Sequence, residues 1–142
     1  MSDYIVYKII EQKDIDELEN FYSTFSIEDT KDLLFDFKNE LFFKVVNKDN
    51  EIVGIASVAD DDYTYNNLKR FVIPEMRGKK IADLLLDEII KTAKSENKSR
   101  LIGLFKSENE KAKKYFTEKG FKTSDFGTIE TIKYSSAKLK LK

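Results

Sequence analysis

The sequence predicts an α/β fold built on one mixed central sheet, with its elements in the order β-α-α-β-β-β-α-β-α-β-β. Three observations lead there. Short runs of β-branched and aromatic residues recur along the 142 residues, as strands require. Between them lie segments whose apolar residues return every three or four positions, as helices require. A strand–strand–strand stretch comes first and a strand–helix–strand unit follows, which puts antiparallel and parallel pairing in one sheet. No internal repeat, low-complexity tract or Pro/Gly-rich linker interrupts the chain, so residues 1–142 are expected to form a single domain.

Taken in order, YIVYKII at 4–10 reads as the first strand. Asp14 and Glu17 stand at capping-box spacing, and Ile15, Leu18, Phe21, Tyr22 and Phe25 follow on one helical face. Ser26 and Asp29 repeat that start signal before Leu33, Leu34 and Phe37, which predicts a second short helix. LFFKVVN at 41–47 and EIVGIASVA at 51–59 flank a polar turn and read as a hairpin. Asp60, Asp61 and Asp62 make the next turn, and YTYNNLKRFVI at 63–73 gives a further strand that Pro74 closes. From Gly78 the period becomes helical, with Ile81, Leu84, Leu85, Ile89, Ile90 and Ala93 on one face. RLIGLF at 100–105 is a strand. Ser107 and Glu110 then set a third capping-box spacing for a helix that carries Ala112, Tyr115 and Phe116 and ends at Gly120. The tail to 142 alternates as strands do, most clearly where Ala137, Leu139 and Leu141 interleave with lysines.

Composition narrows the chemistry. With 41% hydrophobic residues and 11 Phe the chain can build a core. It has no Cys and no His, which excludes disulfides, thiol and Ser-His-Asp catalysis and the usual zinc sites, so no metal is expected. The five glycines, at 54, 78, 103, 120 and 127, cannot form a dinucleotide turn or a Walker-type phosphate loop. No apolar run reaches the ~18 residues of a membrane span, and the acidic, Tyr-rich start does not read as a signal peptide. A cytoplasmic domain without membrane contact is expected. Residues 1–62 carry 16 acidic and 6 basic side chains, and residues 63–142 carry 10 and 19. The basic half suits an anionic ligand and the acidic half a cationic one, unless both sets simply intermix on one surface.

The stretch VIPEMRGKKIADLLL at 72–86 concentrates these signals. A strand ends, a turn follows, and a basic loop runs into a helix N-terminus, where free N–H groups and the helix dipole favour anions. The same residues equally describe a solvated basic loop that caps strand and helix. The segment resembles the acyl-CoA motif of the GNAT N-acetyltransferase superfamily, Q/R-x-x-G-x-G/A. Arg77 and Ala82 match its ends, and Lys80 replaces the middle glycine. NEKAKKYFTEKGF at 109–121 resembles the superfamily's second signature, N-x-x-A-x-x-x-Y-x-x-x-G-F. Asn109, Ala112, Gly120 and Phe121 match, Phe116 stands at the tyrosine position, and Tyr115 precedes it. The detailed likeness covers residues 68–121.

The resemblance implies an acyl-CoA N-acyltransferase fold, with acetyl-CoA as co-substrate held in an opening between the fourth and fifth strands. Its arm would pair with backbone at Phe71, Val72 and Ile73, and its diphosphate would meet the N–H groups of Gly78, Lys79, Lys80, Ile81 and Ala82 behind Arg77. Asn109, Ala112 and Phe116 would line the arm. It further implies transfer of acetyl to a primary amine by direct attack in a ternary complex, with a base, a carbonyl donor and a proton source for the thiolate. Many relatives carry a glutamate on the fourth strand, where this chain has Asn66 and Asn67. Asp60, Asp61 and Asp62 are candidate bases, although three aspartates on a turn also read as solvation. Tyr115 and Tyr134 are candidate acids. The acidic half points to a cationic amine acceptor such as a polyamine, an aminoglycoside or a lysine-bearing peptide. The alternative is a non-catalytic CoA- or partner-binding module of the same fold. A third reading uses the Lys-rich tail 133–142 for a homodimer or for nucleic acid, but the aromatic strand patterns of RNA-binding domains are missing.

Overall fold

The computed structural model describes residues 3–30 and 33–142. Its elements are β1 (Ile5–Lys8), α1 (Gln12–Ser23), α2 (Ile27–Thr30), β2 (Leu41–Val46), β3 (Ile52–Asp60), β4 (Thr64–Val72), α3 (Ile81–Ser95), β5 (Arg100–Lys106), α4 (Glu110–Glu118), β6 (Lys122–Ile129) and β7 (Ile132–Lys140), with a 3-10 turn at Pro74–Met76. Element order and mixed sheet are those the sequence predicts. The hydrogen-bonded strand order is β1-β2-β3-β4-β5-β7-β6, parallel between β4 and β5 and antiparallel in the β1/β2, β2/β3, β5/β7 and β6/β7 pairs. By contacts the chain forms two compact units, one of residues up to Ala59 with Lys69–Lys91, the other of Asp60–Leu68 with Thr92–Lys142.

In the first unit, β2 and β3 pair with Phe42 opposite Ser57 and Phe43 opposite Ala56. Strand alternation sends Phe42 and Ile55 to the face where Ile9, Leu18 and Phe71 complete a buried cluster. Tyr22, Phe25, Phe35 and Phe37 pack against it, Phe37 stacking on Phe42 at 4.9 Å and Tyr22 meeting Phe71 edge-on at 5.1 Å. On α3, Ile81, Leu85 and Ile89 recur every fourth residue and are buried. A Cβ on Gly54 would lie 3.0 Å from Val45 Cγ1, 3.2 Å from the Phe71 carbonyl oxygen and 3.3 Å from Ile81 Cγ2. Glycine at that point of β3 lets the end of β4 and the start of α3 come close.

In the second unit, β4 runs parallel to β5 from Thr64 opposite Arg100 to Leu68 opposite Gly103. The register shifts between Tyr65 and Leu68, where Asn67 takes φ 56° as a bulge residue. Buried Leu101 and Phe105 alternate along β5, and Phe116 and Phe121 lie 5.0 Å apart in the same core.

Three local expectations change. Helix α1 starts at Gln12 with Glu11 at its N-cap and no side-chain cap bond, so Asp14 sits in the first turn instead of capping it. Helix α2 is a single turn started by Ser26, whose Oγ accepts from Asp29 N at 3.2 Å. Leu33, Leu34 and Phe37 lie beyond it, and residues 31–32 lie outside the described residues. Helix α4 is capped by Asn109, whose Oδ1 accepts from Ala112 N at 3.1 Å; Ser107 instead shares a hydrogen bond with Ser135 at 2.8 Å.

Candidate functional site

In the first unit the end of β4 is fixed by the Ile73 N–H, which donates to Val53 O at 3.0 Å. Pro74 opens the 3-10 turn, and the Met76 and Arg77 N–H groups donate back to Ile73 O and Pro74 O. Gly78 then takes φ 82°, with no atom within 4 Å of where its Cβ would be. Lys80 takes φ 64°, the left-handed region that favours glycine. Its carbonyl accepts the first helical bond, from Leu84 N at 3.3 Å. The residue that departs from the expected motif therefore has the backbone conformation a glycine would have there. Lys79 and Lys80 are exposed, Ile81 is buried, and Ala82 is half-buried. Arg70 reaches the Ala82 carbonyl at 3.4 Å. A 15-residue helix begins here; its first N–H groups have no partner within the helix and its dipole favours negative charge. With Arg70, Lys79 and Lys80 around it, this turn can hold a diphosphate by main chain and charge.

Arg77 is placed differently from a simple ligand contact. Its Nε donates to Val72 O at 2.9 Å, its Nη2 donates to Asp29 O at 3.0 Å, and its guanidinium lies 5.5 Å from the Phe71 ring centre. An open depression of about 380 Å³ is lined by Asp29, Thr30, Leu33, Arg77 and the stretch Arg70–Val72. Glu40, Lys69 and Ser57 form a further polar group, with Lys69 Nζ 3.0 Å from Glu40 and Ser57 Oγ 3.1 Å from it.

In the second unit the three turn aspartates surround Lys98. Its buried Nζ lies 2.6 Å from Asp60 Oδ1 and donates to Asp61 O at 2.6 Å and Asp62 O at 3.5 Å. The hydrogen bond to Asp60 holds the Lys98 pKa above its ordinary value. Nearby, Tyr65 OH donates to Glu96 Oε2 at 2.5 Å, and burial, followed by that carboxylate, pushes the phenol pKa well up. Asp60 is therefore engaged as an ion-pair partner. The Asp61 carboxylate accepts from Asn66 Nδ2 at 2.7 Å. Lys98 escaped the sequence reading, because one of two lysines in the polar stretch KSENKSR carries no periodic or motif signal.

Tyr115 is half-buried, its ring 5.6 Å from Phe116 and 5.7 Å from Lys119 Nζ. Phe116 is buried against Phe105 and Phe121, with its Cζ 3.4 Å from the position a Cβ on Gly103 would take. Ala112 is half-buried and Asn109 exposed. Tyr134 is half-buried and lines a depression of about 300 Å³ with Ser107, Asp125, Gly127, Thr128 and Lys133.

Residues 10–121 match the family model described as the acetyltransferase (GNAT) family. The chain belongs to that family. The likeness read from residues 68–121 thus extends back to residue 10, through α1, α2, β2 and β3. Solved structures agree in fold. A spermidine N-acetyltransferase from Vibrio cholerae superposes with a TM-score of 0.73 at 15% identity, covering 99% of this chain and 95% of that one. An N-acetyltransferase from Staphylococcus aureus Mu50 gives 0.72 at 18%, covering 99% and 100%. The yncA protein from Salmonella typhimurium, solved with its cofactor acetyl-CoA, gives 0.72 at 15%, covering 99% and 95%. A search of curated proteins with the sequence gave no match.

Proposed function

We propose that this GNAT protein is an acetyl-CoA-dependent N-acetyltransferase that acetylates a primary amine by direct attack in a ternary complex. The observation that carries the reading is the exposed turn before α3, where Gly78 and Lys80 both take positive φ and lead into the helix N-terminus. Acetyl-CoA supplies an activated acetyl thioester, the acceptor supplies the amine, and the chain holds the two together. Main-chain groups of Gly78–Ala82 would hold the diphosphate, and those of Phe71–Ile73 the arm, with an N–H near Val72 as donor to the carbonyl oxygen. A new C–N bond replaces the C–S bond; the amine loses a proton and the departing thiolate gains one. No base is assigned: Asp60 is paired with Lys98, the Asp61 carboxylate is held by Asn66, and all three turn aspartates precede β4, whose full length from Thr64 to Val72 separates them from the Val72 N–H. For the acid we favour Tyr134 over Tyr115, because the Tyr115 ring is packed on Phe116. Asn109 keeps its motif position but also caps α4 through Oδ1.

The family match runs through both compact units, which supports reading residues 1–142 as one domain. The acidic balance of residues 1–62 and the relatives named as spermidine N-acetyltransferases support a cationic amine as acceptor. Cytoplasmic residence accompanies this reading, and no helix among the described residues is long and apolar enough to cross a membrane. A second reading, a CoA-binding module without catalysis, is favoured by buried Phe116 in place of the tyrosine. Two measurements separate the two readings. Acetyl-CoA at 100 times its Kd should add about 2.7 kcal/mol of stability under either. Release of free thiol with an amine panel occurs only under the first. Ala82→Leu should remove the stabilisation, and full retention would sink the assigned turn.

A further inference from the structure

We propose that Arg77 is a positioning residue that couples occupation of the diphosphate turn to the order of α2 and of the depression beside it. The inference rests on the cofactor reading given above. All of its parts lie in the first compact unit.

A four-residue helix cannot bond its own last carbonyls, so those of α2 need partners from elsewhere. The Asp29 carbonyl finds one in Arg77 Nη2 at 3.0 Å. The same guanidinium donates through Nε to the Val72 carbonyl at 2.9 Å and lies over the Phe71 ring at 5.5 Å. Phe71 in turn packs edge-on against Tyr22 of α1 and Phe25 just beyond it, at 5.1 and 5.0 Å. One planar side chain thus ties α2 to the last residues of β4. Its rigid fork suits a two-carbonyl bridge, whereas a lysine offers only a single point of charge.

Arg77 also stands immediately before Gly78, at the entrance of the turn. Its backbone closes the 3-10 turn by donating to Pro74 O at 3.3 Å. Anything that fixes Gly78–Ala82 therefore restrains the backbone that carries this guanidinium. Because Asp29, Thr30 and Leu33 line the depression together with Phe71 and Val72, the same restraint sets the shape of that depression. A bound acetyl-CoA would order α2 and the depression beside it without touching α2.

Hydrogen exchange on the full chain, with and without saturating acetyl-CoA, tests this. In the wild type, exchange should slow at Gly78–Ala82 and also, by at least about fivefold, at Ser26–Thr30. In Arg77→Lys and Arg77→Gln, slowing at Gly78–Ala82 should persist while the cofactor-dependent slowing at Ser26–Thr30 disappears. A purely structural role would raise α2 exchange equally with and without acetyl-CoA and leave their ratio unchanged, which would overturn the proposal. So would wild-type slowing confined to the turn, or α2 slowing that survives in both variants. Loss of slowing everywhere in the wild type would overturn the cofactor reading itself, and this inference with it.

Discussion

Lys80→Gly is expected to stabilise the protein, even though glycine usually weakens a chain. Lys80 sits at φ 64°, and a residue with a Cβ pays about 1–2 kcal/mol for the left-handed region. Glycine removes that strain and gives back about 0.5–1 kcal/mol through its freedom in the unfolded state. The difference leaves the variant about 0.5–1 kcal/mol more stable, which for a chain of this length raises Tm by about 1–4 °C. Lys79 is the internal control, because it is exposed, carries the same charge and has no positive φ. Lys79→Gly should therefore lower Tm by a similar amount, through the entropy cost alone. Lys80→Asn separates conformation from charge, since asparagine tolerates the left-handed region without an ammonium. Thermal melts of the three variants, followed by acetyl-CoA titration of each, make the assay. If Lys80→Gly melts no higher than Lys79→Gly, the strain assigned to Lys80 is refuted. If Lys80→Gly is more stable but binds acetyl-CoA much more weakly, the ammonium is a ligand contact.

Other substitutions follow from the same geometry. Gly54→Ala places a methyl 3.2 Å from the Phe71 carbonyl oxygen and 3.0 Å from Val45 Cγ1, and should cost about 1–3 kcal/mol in a urea melt. Phe116→Tyr adds a hydroxyl at a ring tip already close to Gly103; an unpartnered buried hydroxyl costs about 1–3 kcal/mol, so Tm should fall without a gain in rate. Tyr115→Phe should lower kcat by less than about tenfold, below the usual worth of acid–base help, and a larger loss at unchanged acetyl-CoA affinity would make Tyr115 the acid. The folded state raises the pKa of both Tyr65 and Lys98. Both groups then favour folding below the unfolded-state values near 10, and stability should fall as pH rises beyond them. Tyr65→Phe should flatten that alkaline limb in pH-dependent melts.

The strand and helix order was legible because alternation and 3.6-residue spacing are properties of the chain itself. Where the reading failed, two patterns competed over the same residues. Leu33, Leu34 and Phe37 fit a helical face, but the observed burial alternates, with Leu33, Phe35 and Phe37 inward and Leu34 and Asp36 outward. That segment is held by ring contacts of Phe35 and Phe37 with Tyr22 and Phe42, and such long-range contacts leave no local trace. Asn109 and Ser107 likewise both offer a helix start, and only the fold decides which oxygen meets Ala112 N. At the candidate site, Lys80 looked like a departure because a pattern compares side chains. The turn constrains φ, and a lysine can meet that constraint at a cost in strain.

The division of charge along the chain gives less guidance about the acceptor than the net numbers suggest. Glu40 belongs to the acidic stretch and Lys69 to the basic one, and they pair at 3.0 Å in the first unit. Asp60 and Lys98 do the same at 2.6 Å in the second. Some opposite charges from the two halves of the sequence thus meet in ion pairs inside each unit, and those pairs present no net field to a ligand. The basic residues of the α3 turn act otherwise, because Lys79 and Lys80 are exposed beside N–H groups that already favour an anion. The structure therefore strengthens the case for an anionic cofactor at residues 77–82. A preference for a cationic acceptor would have to come from carboxylates outside these pairs, and Asp29, which lines the depression beside α2, is one of them.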